Sequence, residues 1–184
     1  FHREHPRVLD LASGHGGFAL AIARAAREDE TSLEIVASHI KQEYLALGAR
    51  RALSERHDVR FETQDALDLS NLRPGDFDIV TCTQALHHFE PGQIAVMFAE
   101  AARIASSGVL FIDGARSALT AAATWALGVF GYRDRAFAHD SLVSFRRFFV
   151  PEELELLGRL APRGERARAY AVAPGQCLLE LRST

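Results

Sequence analysis

Cysteine, lysine and long apolar runs are all scarce in this chain. Cys82 and Cys177 are the only cysteines among 184 residues. Two thiols make no disulfide framework, and no metal-ligand spacing accompanies them, so no metal is expected. Cys82 lies in an apolar run and is expected to be a buried thiol. Lys41 is the sole lysine, so nearly all positive charge is arginine. Net charge is −3. Without an overall basic field, nucleic acid is not an expected partner. The longest apolar stretch, Ala118 to Phe130, is shorter than the roughly 20 residues that a membrane-crossing helix needs. No secretory leader is visible. A cytoplasmic protein without a membrane partner is the expectation. The chain opens at Phe1, not methionine, which leaves room for a preceding segment.

What is present is ordinary globular composition. Hydrophobic residues are 48% and charged residues 24%. The length suits one domain, 1–184, burying about 70% of its unfolded surface. Strand-like and helix-like runs alternate. Arg7–Ser13, Leu33–Ser38, Val59–Thr63, Phe77–Cys82 and Gly108–Ile112 read as strands. Phe18–Arg27, Gln42–Leu53 and Gln93–Ala105 read as the helices between them. Such alternation implies a doubly wound, mostly parallel α/β sheet with helices on both faces. After Asp113 the pattern loosens. An apolar helix over Leu119–Val129 precedes a polar stretch, and a helix opens at Pro151. Two late strands, Ala167–Val172 and Gln176–Leu181, are close enough to form an antiparallel hairpin.

Gly14 and Gly16 lie between the first strand and first helix, where a missing Cβ lets the backbone turn and approach a ligand. The bland reading is a tight turn that binds nothing. Two ligand readings stand beside it. Gly14-His-Gly-Gly-Phe-Ala19 fits G-x-G-x-x-A, a dinucleotide pattern. Alternatively, Asp10 ahead of the glycines would attract an ammonium or sulfonium, while it would repel a pyrophosphate.

Val8-Leu-Asp-Leu-Ala-Ser-Gly-His-Gly-Gly17 resembles the first motif of class I S-adenosylmethionine-dependent methyltransferases. Ala12 stands where that motif has its first glycine. Gln64-Asp65-Ala66 resembles the adenine-contacting element. Phe77 to Phe89 resembles the fourth-strand motif, and Ala102 to Leu110 the helix, turn and fifth strand beyond it. The resemblance implies a Rossmann-like, seven-stranded sheet with its last strand antiparallel. It implies S-adenosylmethionine as cofactor, held by Asp10, Ala12, Ser13, Gly14, Gly16, His39, Ile40, Asp65, Ala66, Thr83, Gln84 and Leu86. One departure matters. His39 stands where the family carries an acid for both ribose hydroxyls. A neutral imidazole makes one such bond, a loss of about 1 kcal/mol or more.

Methyl transfer from a sulfonium asks for alignment and exclusion of water, with a base only for weakly acidic acceptors. His88 and His87 follow the fourth strand and are candidate bases; the competing reading is a structural pair. His139-Asp140 is a second candidate, against an exposed polar loop. Arg146 and Arg147, between phenylalanines, either face solvent or bind an acidic substrate. A variable helical segment, about 116–150, is expected to cover the acceptor site. Trp125 and Phe130 would roof an apolar pocket or form a homodimer face. The expectation is methylation of a small molecule, with oxygen the preferred nucleophile. A nicotinamide-dependent oxidoreductase and a non-catalytic cofactor-binding module of the same fold are the alternatives.

Overall fold

The computed structural model describes residues 5–132, 143–173 and 175–182. Seven strands form one sheet: β1 (Arg7–Leu11), β2 (Glu34–His39), β3 (Arg60–Thr63), β4 (Phe77–Thr83), β5 (Ala105–Gly114), β6 (Arg168–Ala173) and β7 (Gln176–Arg182). Their spatial order is β3-β2-β1-β4-β5-β7-β6. The pairings from β3 to β5 are parallel, and β7 is antiparallel to both β5 and β6. Only β7 is reversed, as the hairpin reading requires.

The longer α-helices are α1 (Gly17–Glu28), α2 (Gln42–Glu55), α3 (Pro91–Ile104), α4 (Ala118–Ala126) and α5 (Pro151–Gly158). Strand side chains alternate between faces. Leu9, Leu11 and Val36 face a core with Ile94, Met97 and Phe98 of α3 and Leu154 of α5. Ile35 and Ala37 face the other way, onto Ala19 and Ala23 of α1 and the Phe61 ring. At about 25 cal/mol per Å² of apolar area, such buried side chains supply much of the drive to fold.

Two boundaries depart from the sequence reading. The resemblance implies a turn between helix and strand at Ser106-Ser107, yet β5 starts at Ala105, directly after α3. Ser106 Oγ donates to Asp78 Oδ1 at 2.9 Å, and the Arg7 N–H donates to Asp78 Oδ2 at 2.9 Å. Those bonds tie the early part of β5 to buried Asp78, and the extra residue is taken up as a bulge opposite Phe77–Ile79. The apolar helix after Asp113 changes character: α4 widens into a π-helix over Leu127–Tyr132. Both cysteines are free and buried, Cys82 as its apolar run leads one to expect. His139-Asp140 lies outside the described residues.

Candidate functional site

The carboxyl ends of β1, β2 and β4 meet at a crevice, where open α/β sheets bind ligands. The chain leaves β1 through Ala12 at φ 51°, Gly14 at 56° and Gly16 at 75°. A Cβ on Gly14 would meet nothing within 4 Å, so that position faces open space. A Cβ on Gly16 would lie 2.6 Å from Phe61 Cε1, so only glycine permits this packing of α1. Ala12 accepts a left-handed conformation that costs a non-glycine residue roughly 1–2 kcal/mol.

Asp10 is fully buried beneath this loop. Its Oδ1 accepts from Thr81 Oγ1 at 2.9 Å, and Ser38 Oγ donates to its backbone carbonyl at 3.0 Å. Asp10 Oδ2 and Ser13 Oγ are buried without a partner among the described residues. Burial pushes the Asp10 carboxyl up to about 7, against the opposing Thr81 bond. A buried carboxyl oxygen without a donor, under a glycine loop, suits a ligand whose nearest end is cationic and would favour the ionised form.

A cleft of ≈ 790 Å³ lies over the loop, walled by Ala12, Ser13, Gly14, His39, Thr83, Gln84 and His88 among others. A recess of ≈ 200 Å³ adjoins it, lined by Ile40, Gln64, Asp65 and Ala66. Both share Ala12, His39 and Phe89, which form a waist between the chambers. His39 ends β2, and its Nδ1 accepts the Lys41 N–H at 2.9 Å. The ring proton therefore sits on Nε2, as a donor. Burial lowers the His39 pKa below its usual value, so the ring is neutral at neutral pH. Asp65 holds its own turn: Oδ1 accepts from the Leu67 N–H at 2.9 Å.

Beyond β4, Gln84 turns the chain with φ 53°, and its N–H donates to Ile112 O at 2.8 Å. His87 and His88 then diverge. His88 lines the cleft. Its pKa is lowered, first by burial and then by His87. His87 Nδ1 instead lies 3.0 Å from both oxygens of Asp113, and its N–H donates to Asp113 Oδ2 at 2.8 Å. The two imidazoles lie 4.1 Å apart, centroid to centroid. Phe148 packs edge-on against His87 at 5.1 Å.

The two chambers bring together most of the residues singled out above. Asp10 and Gly16 support the loop from below and do not wall the cleft. Leu86 is a correction: it is fully buried in the core with Ile94 and Met97, because an apolar residue in this short turn gains more from burial than from the cleft. Arg146 and Arg147 belong to solvent, with Arg147 Nη2 paired to exposed Glu90 at 3.3 Å. Sequence reasoning missed Lys41, Tyr44, Phe89, Ile112 and Gln176 on the cleft wall. Lys41 and Tyr44 follow directly from His39 in the chain and were within reach. Gln176 arrives through β7 pairing with Gly114, a contact with no local signature.

A family model described as a methyltransferase domain matches residues 8–108. A ubiquinone biosynthesis O-methyltransferase from Xanthomonas campestris is 30% identical over 107 residues, covering 58% of this chain and 42% of that protein. A demethylmenaquinone methyltransferase from Deinococcus radiodurans is 36% identical over 83 residues, covering 45% and 32% respectively. The chain thus spans well under half the length of these curated relatives. In fold, it matches magnesium protoporphyrin IX methyltransferase from Synechocystis, solved with bound SAH, at a TM-score of 0.61. That match has 18% identity and covers 97% of this chain and 75% of that one.

Proposed function

The chain belongs to the class I S-adenosylmethionine-dependent methyltransferases, and from that premise we propose that it methylates a small molecule at an oxygen atom. The cofactor fits the residues present. The unpartnered Asp10 Oδ2 beneath the loop suits the ammonium end of S-adenosylmethionine. Asp65 and Ala66 would hold the adenine, Ile40 would flank it, and His39 would donate one bond to the sugar. When bound, this cofactor supplies a methyl carbon on a sulfonium, a leaving group that needs no proton.

The observation that carries the oxygen reading is His88. It shares the cleft wall with Ser13, Gly14, Thr83 and Gln84. Its lowered pKa leaves the imidazole as free base at neutral pH, ready to take a hydroxyl proton. The His87–Asp113 contact fixes the turn that presents it. Phe18, Phe89 and Ile112 supply apolar wall that limits water around the acceptor. The O-methyltransferase name of a 30%-identical relative supports the same reading. The segment after β5 is the proposed acceptor cover. Its return is anchored where the Arg116 N–H donates to Phe149 O at 2.9 Å.

The test is S-adenosylhomocysteine release with matched phenol, amine and thiol acceptors. Turnover with phenols, with an acid limb that vanishes in His88→Ala, is expected. Turnover restricted to amines or thiols would overturn the oxygen assignment.

A further inference from the structure

His39 sits at the waist between the two chambers, with Lys41 and Tyr44 on the wall of the larger one. With adenine in the Asp65 recess and the amino-acid end over the glycine loop, the sugar of a bound nucleoside must lie at His39. In doubly wound folds, a carboxylate here accepts from the sugar hydroxyls, whereas a nearby cation accommodates a phosphate on the sugar. This chain has the second arrangement. His39 presents a donor at Nε2, because Nδ1 is occupied by the Lys41 N–H. Lys41, the only lysine in the sequence, lines the same cleft. Its Nζ lies 5.9 Å from the Tyr44 ring, and the His39 ring lies 5.1 Å from that ring. Three residues thus form one cluster at the sugar position.

The opposing charges are few. Glu43 acts on His39 through space, and Asp65 lies at the base end with Oδ1 occupied by Leu67. Among the described residues, no Asp or Glu lines the larger cleft, and none pairs with the Lys41 ammonium.

We infer that His39 at the waist, together with Lys41 on the wall of the larger cleft, binds a phosphate on the 2′ or 3′ position of an adenine nucleoside, so that such nucleotides compete with the methyl donor. The inference rests on reading the cleft as the adenosyl site. A carboxylate at position 39 would repel that phosphate; the Lys41 ammonium attracts it, and His39 Nε2–H completes a charge-assisted bond.

The experiment is calorimetry on the full chain with four probes: adenosine and its 2′-, 3′- and 5′-monophosphates, each also titrated against S-adenosylhomocysteine. The 2′- or 3′-monophosphate should bind about tenfold more tightly than adenosine at low salt, a gap that closes as salt screens it. It should displace S-adenosylhomocysteine, and the 5′-monophosphate should show no such gain. The ratio of monophosphate to adenosine affinity should approach one in Lys41→Ala and fall below one in His39→Asp. Should either variant fail to fold, the native ratio and the 5′ control decide alone. No gain over adenosine, an equal gain with the 5′-monophosphate, or a gain that survives Lys41→Ala overturns the inference. S-adenosylhomocysteine binding without phosphate preference sinks this inference alone; failure of S-adenosylhomocysteine to bind sinks the reading beneath it.

Discussion

Asp113 holds His87 twice, accepting its backbone N–H at 2.8 Å and facing its Nδ1 at 3.0 Å. The carboxylate is buried at the end of β5, where it also accepts the Gly114 N–H at 2.7 Å. One side chain therefore locks the end of β5 to the turn after β4. His88, the next residue, is thereby set on the cleft wall. Asp113→Asn turns an amide N–H toward donors and should cost about 1–3 kcal/mol of stability. Chemical unfolding checks this, and an unchanged midpoint would remove Asp113 from the scaffold of the turn.

His88→Ala should lower turnover by about 10²–10⁴-fold, with a much smaller change in donor affinity. The wild-type rate should fall on the acid side. Protonated His88 cannot accept a proton, and its pKa lies below the ordinary 6.5, so the plateau is reached by neutral pH. The pH profile of kcat separates this from simple damage. Equal losses in turnover and donor affinity would make His88 structural.

Asp10 gives a pH dependence of the opposite kind. Its carboxyl is raised from 3.8 to about 7 in the folded, ligand-free protein. Between those values the folded state binds more protons than the unfolded one, so this group's contribution makes stability fall as pH rises. The ammonium end of S-adenosylhomocysteine favours the ionised form, so its affinity should weaken by up to about tenfold per pH unit below 7. Calorimetry at pH 6 and 8 measures it. Asp10→Asn should flatten the dependence.

The glycine loop predicts a pair of opposite effects. Gly16→Ala forces a Cβ to within 2.6 Å of Phe61 in a left-handed backbone, and should cost about 1–3 kcal/mol. Ala12→Gly relieves φ 51° and should stabilise by about 0.5–1 kcal/mol. Thermal melts of the two variants should move in opposite directions.

Much of this was visible in the chain before folding. The alternating strands and helices carried the sheet, and Gly14 and Gly16 occupy positions whose positive φ makes glycine the natural residue. Ala12, a departure from the family's motif, is where the backbone is left-handed without a glycine. The failures have physical causes. Leu86 holds a cofactor-lining position in the motif it resembles, whereas its side chain follows burial. The family resemblance implies a turn between the helix and the fifth strand at Ser106-Ser107, but Ser106 bonds to Asp78 across the sheet. Ile112 reaches the cleft because β5 pairs with β4, opposite Thr83, and Gln176 because β7 pairs with β5 opposite Gly114. Asp113 reads as the end of an apolar run, and its grip on His87 spans 26 positions of sequence.

The proposed activity requires an adenosyl donor seated above Asp10. Titration with S-adenosylhomocysteine, with NADH as comparison, tests that most directly. Saturable one-to-one heat with the former, weakened in Asp65→Ala by about 1 kcal/mol through its lost acceptor, is predicted. Heat with NADH alone would contradict it.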